Sequence, residues 1–150
     1  MRLKCAKGRI PTGYGQSQTL GQDREPGAID FSAVTPTHRG FSIRLRSQST
    51  EGSRIDLFLR CWKRRLSGHL AKVKVRKFKT RIPANGTRRL KHRCHRGEFA
   101  LATGWSFPSD SGVALTSTRT TGKTKARWSF DNGSDGVRGR TSILCLARQR

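Results

Sequence analysis

Gly122-Lys123-Thr124 has the ending of a phosphate-cradling loop. That loop needs a glycine five residues earlier, where this chain has Ser117, and it needs a helix to follow. The residues after it alternate like a strand, so a turn carrying a basic residue is the reading. Asp131, Gly133, Asp135 and Gly136 echo a calcium loop. Its third position is a glycine and its twelfth is Ser142, where a bidentate glutamate is required. His92, Cys94 and His95 are close enough to suggest metal ligands. In a strand, however, His95 points away from Cys94, and the chain has no Cys-x-x-Cys pair. No metal or cofactor is expected. Four histidines and nine acids form no nucleophile elbow and no distinctive carboxylate pair, and Asp23 and Glu25 sit in a Gly/Pro loop. The expectation is a non-enzyme with no catalytic residues. Asn85-Gly86-Thr87 and Asn132-Gly133-Ser134 fit the glycosylation pattern but read as turns.

What remains is charge. Thirty-two Lys and Arg stand against nine Asp and Glu in 150 residues, a net charge of +23. Such a surface concentrates anions around itself, so a polyanionic partner is expected. From Lys63 to Arg96 there are fourteen basic residues and no acid. Within that span Lys72, Lys74 and Arg76 alternate with Val73 and Val75, and Arg89, Lys91 and Arg93 alternate with Leu90 and His92. The Asn85-Gly86 dipeptide between them suits a tight turn. A basic hairpin is expected, with Lys72, Lys74 and Arg76 facing Arg89, Lys91 and Arg93. Like charges across a strand pair are destabilising, so an anionic partner that neutralises the ladder is favoured over a merely solvated face.

The elements that would carry these residues are strands. Hydrophobic content is 33% and mean hydropathy −0.69, which suits thin sheets with a solvated face. No run approaches the roughly 20 apolar residues of a membrane-spanning helix, and MRLKCAKGRI has no apolar core of a signal peptide. The chain also repeats itself. Cys5-Ala6-Lys7-Gly8 leads to Thr12-Gly13-Tyr14, and Cys94-His95-Arg96-Gly97 leads to Thr103-Gly104-Trp105 with two extra residues. Phe41, Ile43 and Leu45 alternate with polar neighbours 20 residues before Cys61. Ala126, Trp128 and Phe130 do so 19 residues before Cys145. Each copy ends in an apolar strand that closes on cysteine. The four cysteines permit three pairings, and composition does not choose among them.

This pattern resembles a repeat of secreted actinobacterial proteins. That repeat opens Cys-Pro-Ala-Gly, continues to Gly-Gly-aromatic and closes on cysteine, often after a Val-Pro-Ala-Gly-type turn. Ile82-Pro83-Ala84-Asn85-Gly86 stands at the turn's place here, while Ala6-Lys7 and His95-Arg96 replace the Pro-Ala. The resemblance implies extracytoplasmic β-modules, each with one bridge, hence Cys5–Cys61 and Cys94–Cys145. It brings no catalytic residues.

The expected fold is therefore all-β: two tandem, small, antiparallel sandwich-like modules, each closed by one disulfide. Residues 1–66 form the first, and 67–150 form the basic hairpin plus the second. The first module lacks a matching hairpin, which leaves an edge for strand exchange or a second copy. The expected function is a structural or interaction protein, a decoration or minor component of a phage-like virion that docks on an acidic shell through the hairpin. The rivals are a nucleic-acid-binding protein, cytoplasmic, with Trp62, Phe78 and Tyr14 stacking on bases, and a secreted adhesion or cell-wall module.

Overall fold

The structure is a computed structural model that describes residues 1–19, 29–47, 54–66 and 69–148. The loop with Asp23 and Glu25, and most of the turn before Arg54, lie outside the described residues. Among the described residues the secondary structure is all strand: β1 (Arg2–Lys4), β2 (Arg9–Thr19), β3 (Ile29–Thr37), β4 (Gly40–Ser47), β5 (Arg54–Lys63), β6 (Arg65–Leu66), β7 (His69–Ile82), β8 (Gly86–Arg93), β9 (Glu98–Ser106), β10 (Val113–Thr121), β11 (Lys125–Asn132) and β12 (Val137–Arg148). They form a seven-stranded sheet in the order β1-β4-β3-β9-β12-β7-β6, a three-stranded sheet β10-β11-β8 and a two-stranded sheet β2-β5. The two disulfides are Cys5–Cys61 and Cys94–Cys145, and no cysteine is free. Bonds of this kind belong to oxidising surroundings such as the outside of a cell.

The duplicated phrase has a structural cause. Gly8 and Gly97 have φ of +81° and +80°, a left-handed backbone that disfavours side chains. The turn each completes is the same: Arg9 N donates to Ala6 O at 3.1 Å, and Glu98 N donates to His95 O at 3.1 Å. Each turn starts a strand that pairs antiparallel with the strand ending in the partner cysteine, β2 with β5 and β9 with β12. The strand before each first cysteine pairs with the fourth of its module, β1 with β4 and β8 with β11. Even the irregularities recur. Ser32 and Thr116 are unpaired bulge residues in β3 and β10, and each hydroxyl donates to a carbonyl of the neighbouring strand, Arg44 O and Ser129 O.

The two-residue insertion expected before Thr103 is not there. Thr12 and Leu101 are matching bulges, so Gly13-Tyr14-Gly15 corresponds to Ala102-Thr103-Gly104. Both copies carry the same one-residue bulge at the same place, so the apparent length difference comes from matching Thr12 with Thr103, which the register sets two residues apart.

The two modules are joined edge to edge. Ala33 lies opposite Ser106 and Val34 opposite Trp105, so β3 and β9 continue one sheet across both modules. Gly104 makes this seam possible, because a Cβ there would collide with Val34 O and Pro36 and come within 2.8 Å of Ser142 Oγ. Gly15, its counterpart in β2, has nothing within 4 Å of that position. Gly104→Ala is therefore expected to cost about 1–3 kcal/mol, and Gly15→Ala less than about 0.5. Equal shifts in the urea midpoints of the two variants would refute the seam.

One core runs under both modules. Trp105 and Val34 share a face by register. On that face Val34, Phe41 and Ile43 meet Tyr14 and Ile10, while Ile143 and Trp105 meet Trp128 and Phe130. Tyr14 packs on Phe41 with ring centroids 5.1 Å apart, and Phe107 meets Phe130 edge-on at 5.0 Å. Strand β12 is buried on both faces, with Ile143, Leu144 and Cys145 fully covered. This is why its sequence ILCLA, residues 143–147, is a continuous apolar run.

Candidate polyanion-binding face

The basic hairpin does not form. Strand β7 pairs with β12 over twelve residues, from Ala71 opposite Arg148 to Ile82 opposite Val137. Strand β8 pairs with β11 instead. The Asn85 turn, with φ of +45°, passes the chain from the large sheet to the small one facing it. The cause is apolar. Strand β12 is buried on both faces, so the backbone groups along both its edges must be hydrogen-bonded; β9 pairs one edge and β7 the other. Leu90 and His92 need a sheet beneath them, which a two-stranded ribbon lacks. The module 1 expectation changes with it. Strand β1 has its β4 partner just as β8 has β11. Among the described residues, what module 1 lacks is a counterpart to β7, and β5 pairs there with β2 alone.

The six expected cations separate into two groups with different chemistry. Arg76 makes a two-pronged contact with Glu98, Nε to Oε2 at 2.9 Å and Nη2 to Oε1 at 2.7 Å. Lys74 Nζ approaches the same carboxylate at 3.4 Å, and His95 N donates to it at 3.0 Å. Glu98 is buried, and its hydrogen bond from Arg76 holds its pKa down at about 2. Arg76 and Lys74 thus neutralise a buried acid beside the Cys94–Cys145 bridge, and Lys72 alone of this trio is exposed with no ion pair among the described contacts. Glu98 was absent from the sequence reading because it lies two residues beyond the acid-free span. Cys94, Cys145 and Glu98 are clustered, but both sulfurs are bonded to each other and the carboxylate is occupied by Arg76.

Arg89, Lys91 and Arg93 are exposed on the outer face of the three-stranded sheet. Register adds to them. Arg127 lies opposite Lys91, Lys125 opposite Arg93, and Arg119 opposite Arg127. Directly opposed side chains in a sheet stand about 5 Å apart, so Arg119, Arg127 and Lys91 form a row across three strands with Lys125 and Arg93 beside it. The acid on this face, Asp131, stands at its end opposite Thr87, whose hydroxyl it accepts at 2.7 Å. Arg119, Lys125 and Arg127 were missed in the sequence because alternation in KARWSF marks its apolar side first. Their signal is the complementary set of that same alternation.

No family model matches this chain, nor does any curated protein or solved structure.

The remaining candidates settle as structure. Asn132 is buried; its amide donates to Pro83 O and Asp135 O at 2.8 Å each, and its Oδ1 accepts from Ser134 N at 3.1 Å. This knot, not a cation, organises the Asp131–Asp135 turn, and it takes Asn132 out of reach as a glycosylation acceptor. His92 stacks on Phe78 at 4.0 Å beneath the sheet, and burial lowers its pKa. Of the three expected base-stacking aromatics, Phe78 and Tyr14 are packed against the interior, and burial pushes the Tyr14 hydroxyl up to about 12. Trp62 is exposed, with Phe58 on the same strand β5.

Proposed function

We propose that this chain is a non-enzymatic structural or interaction protein that docks on an acidic surface through the outer face of its three-stranded sheet. The setting we propose is a phage-like particle, on which it is a decoration or minor structural component. The face, not a hairpin, is the docking element. The observation that carries this reading is the row Arg119, Arg127 and Lys91 beside Lys125 and Arg93. Opposed like charges each cost a few tenths of a kcal/mol or more, and a bound anionic surface turns that cost into attraction. A sheet face with its backbone fixed by hydrogen bonds offers such a surface a defined charge spacing. The disulfides suit a protein that works outside a reducing cytoplasm.

Polyglutamate-coated beads stand in for an acidic shell. The native chain should be retained at 50 mM salt and released by about 500 mM, as screening shortens to a few ångströms. Lys91→Ser, Arg93→Ser and Arg127→Ser combined should weaken retention at least tenfold at about 100 mM salt. Retention that ignores these three changes would sink the reading.

A further inference from the structure

We infer that the opposite side of the molecule carries a second, separate site, a trough that takes a single nucleic-acid strand. Both small sheets pack on the face of the seven-stranded sheet that holds Val34, Trp105 and Ile143; the opposite face is covered at Ser142 and Leu144 and exposed at Arg140. Register runs across that face without a break. Arg44 lies opposite Ala33, Ala33 opposite Ser106, Ser106 opposite Arg140, and Arg140 opposite Lys79. One step of the same alternation further, Arg138 lies opposite Arg81, and in the other direction Lys77 lies opposite Ser142.

The result is two banks with a floor between them. Arg44 stands on β4. Arg138, Arg140, Lys79 and Arg81 stand on β12 and β7. All five are exposed. Between the banks the lining is Ser106, Phe107, Pro108, Gly139 and Thr80. Three strand spacings separate the banks, about 14 Å. The depression they enclose measures about 770 Å³; its lining includes Arg44, Lys79, Arg81, Arg138, Arg140 and Ser106, and no acid. Arg46, the next outward cation on β4, donates to Ser109 O at 2.9 Å instead.

The occupant follows from shape and from the kind of cation. Acidic side chains on a folded protein are tethered to a body too broad to enter a recessed floor, whereas a linear polyanion can lie along it. Four of the five cations are arginines, whose planar forks grip phosphate with two hydrogen bonds and stack on bases. The floor between the cations carries no charged side chain and leaves room for the bases of one strand. The site shares no residue with the docking face, so variants of each face distinguish failure of one assignment from failure of the other.

The probe is a labelled oligothymidylate of about 12 nucleotides, followed by anisotropy over a salt series on the oxidised native chain. Arg44→Ser, Arg140→Ser and Lys79→Ser combined should flatten the slope of log K against log salt by about 2, at about 0.7 per lost phosphate contact. Affinity at about 100 mM salt should fall at least tenfold. The docking-face triple variant should lose less than a third as much slope. In the unaltered chain, iodouracil-containing oligonucleotide should photo-crosslink to β7 or β12, which keeps the test alive if a variant misfolds. Equal losses from both faces, crosslinks confined to the three-stranded sheet, or a heparin fragment of matched charge bound as tightly as the oligonucleotide would each overturn the assignment.

Discussion

Replacing Cys94 and Cys145 together by alanine is expected to destabilise the protein by about 4 kcal/mol, the chain-entropy value for a loop of this length. The bridge spans 51 residues and ties the end of β8 to β12, the strand at the heart of the large sheet. Both sulfurs are buried in the shared core, so the loss of packing adds to the loss of the constraint. The Cys5–Cys61 bridge closes a loop of similar length, but Cys61 is half-exposed on β5. Reductant under native conditions should therefore open Cys5–Cys61 first. Urea unfolding of the two double variants, with mass mapping during timed reduction, checks both statements. A loss below about 1 kcal/mol for the Cys94–Cys145 pair would contradict them.

Glu98→Ala should be as damaging, about 3–5 kcal/mol, because it leaves Arg76 with no counter-charge in a mostly buried site. Glu98→Gln keeps the volume and removes the charge. The pair also fixes a pH dependence. The folded pKa of about 2 lies below the ordinary 4.5, so the charged carboxylate stabilises the fold. That contribution is complete above about pH 4.5 and disappears as pH falls toward 2. Allowing for solvent at the partly open Arg76 side chain, it amounts to about 2 kcal/mol. Between pH 6 and pH 2.5 the native protein should lose most of this relative to Glu98→Gln. Parallel urea midpoints for the two across that range would show that the ion pair contributes nothing.

The strands and the bridges were legible because each depends on local pattern. Phe41-Ser42-Ile43 and Trp128-Ser129-Phe130 alternate in a way that only a half-buried strand satisfies. The cysteine pairing came from resemblance, and the geometry agrees with it. Strand partnership was not legible. Asn85-Gly86 between two alternating segments is a strong hairpin signal, yet the turn here changes sheets. What decides is the two-sided burial of Ile143, Leu144 and Cys145, a demand on β7 that arises some 60 residues further along the chain. The cationic face was half visible for the same reason. Arg89, Lys91 and Arg93 were found on one strand, but Arg127 and Lys125 join them only through a register that no single segment encodes. Glu98 was hidden by its ordinary exterior chemistry; a lone acid after a basic run says nothing until Arg76 is folded onto it.

The placement of the two bridges also governs how the chain answers a pull. Tension applied beyond Cys5 and Cys145 cannot lengthen either bracketed loop, since each is short-circuited by sulfur. Only residues 62–93, with β7 and β8, can be drawn out. Fully extended, that segment spans about 110 Å. Drawing it out strips β7 from the edge of β12 but leaves each bridged loop unable to extend. The oxidised protein is thus a tether with a fixed stop, whose single extensible link is the segment richest in positive charge.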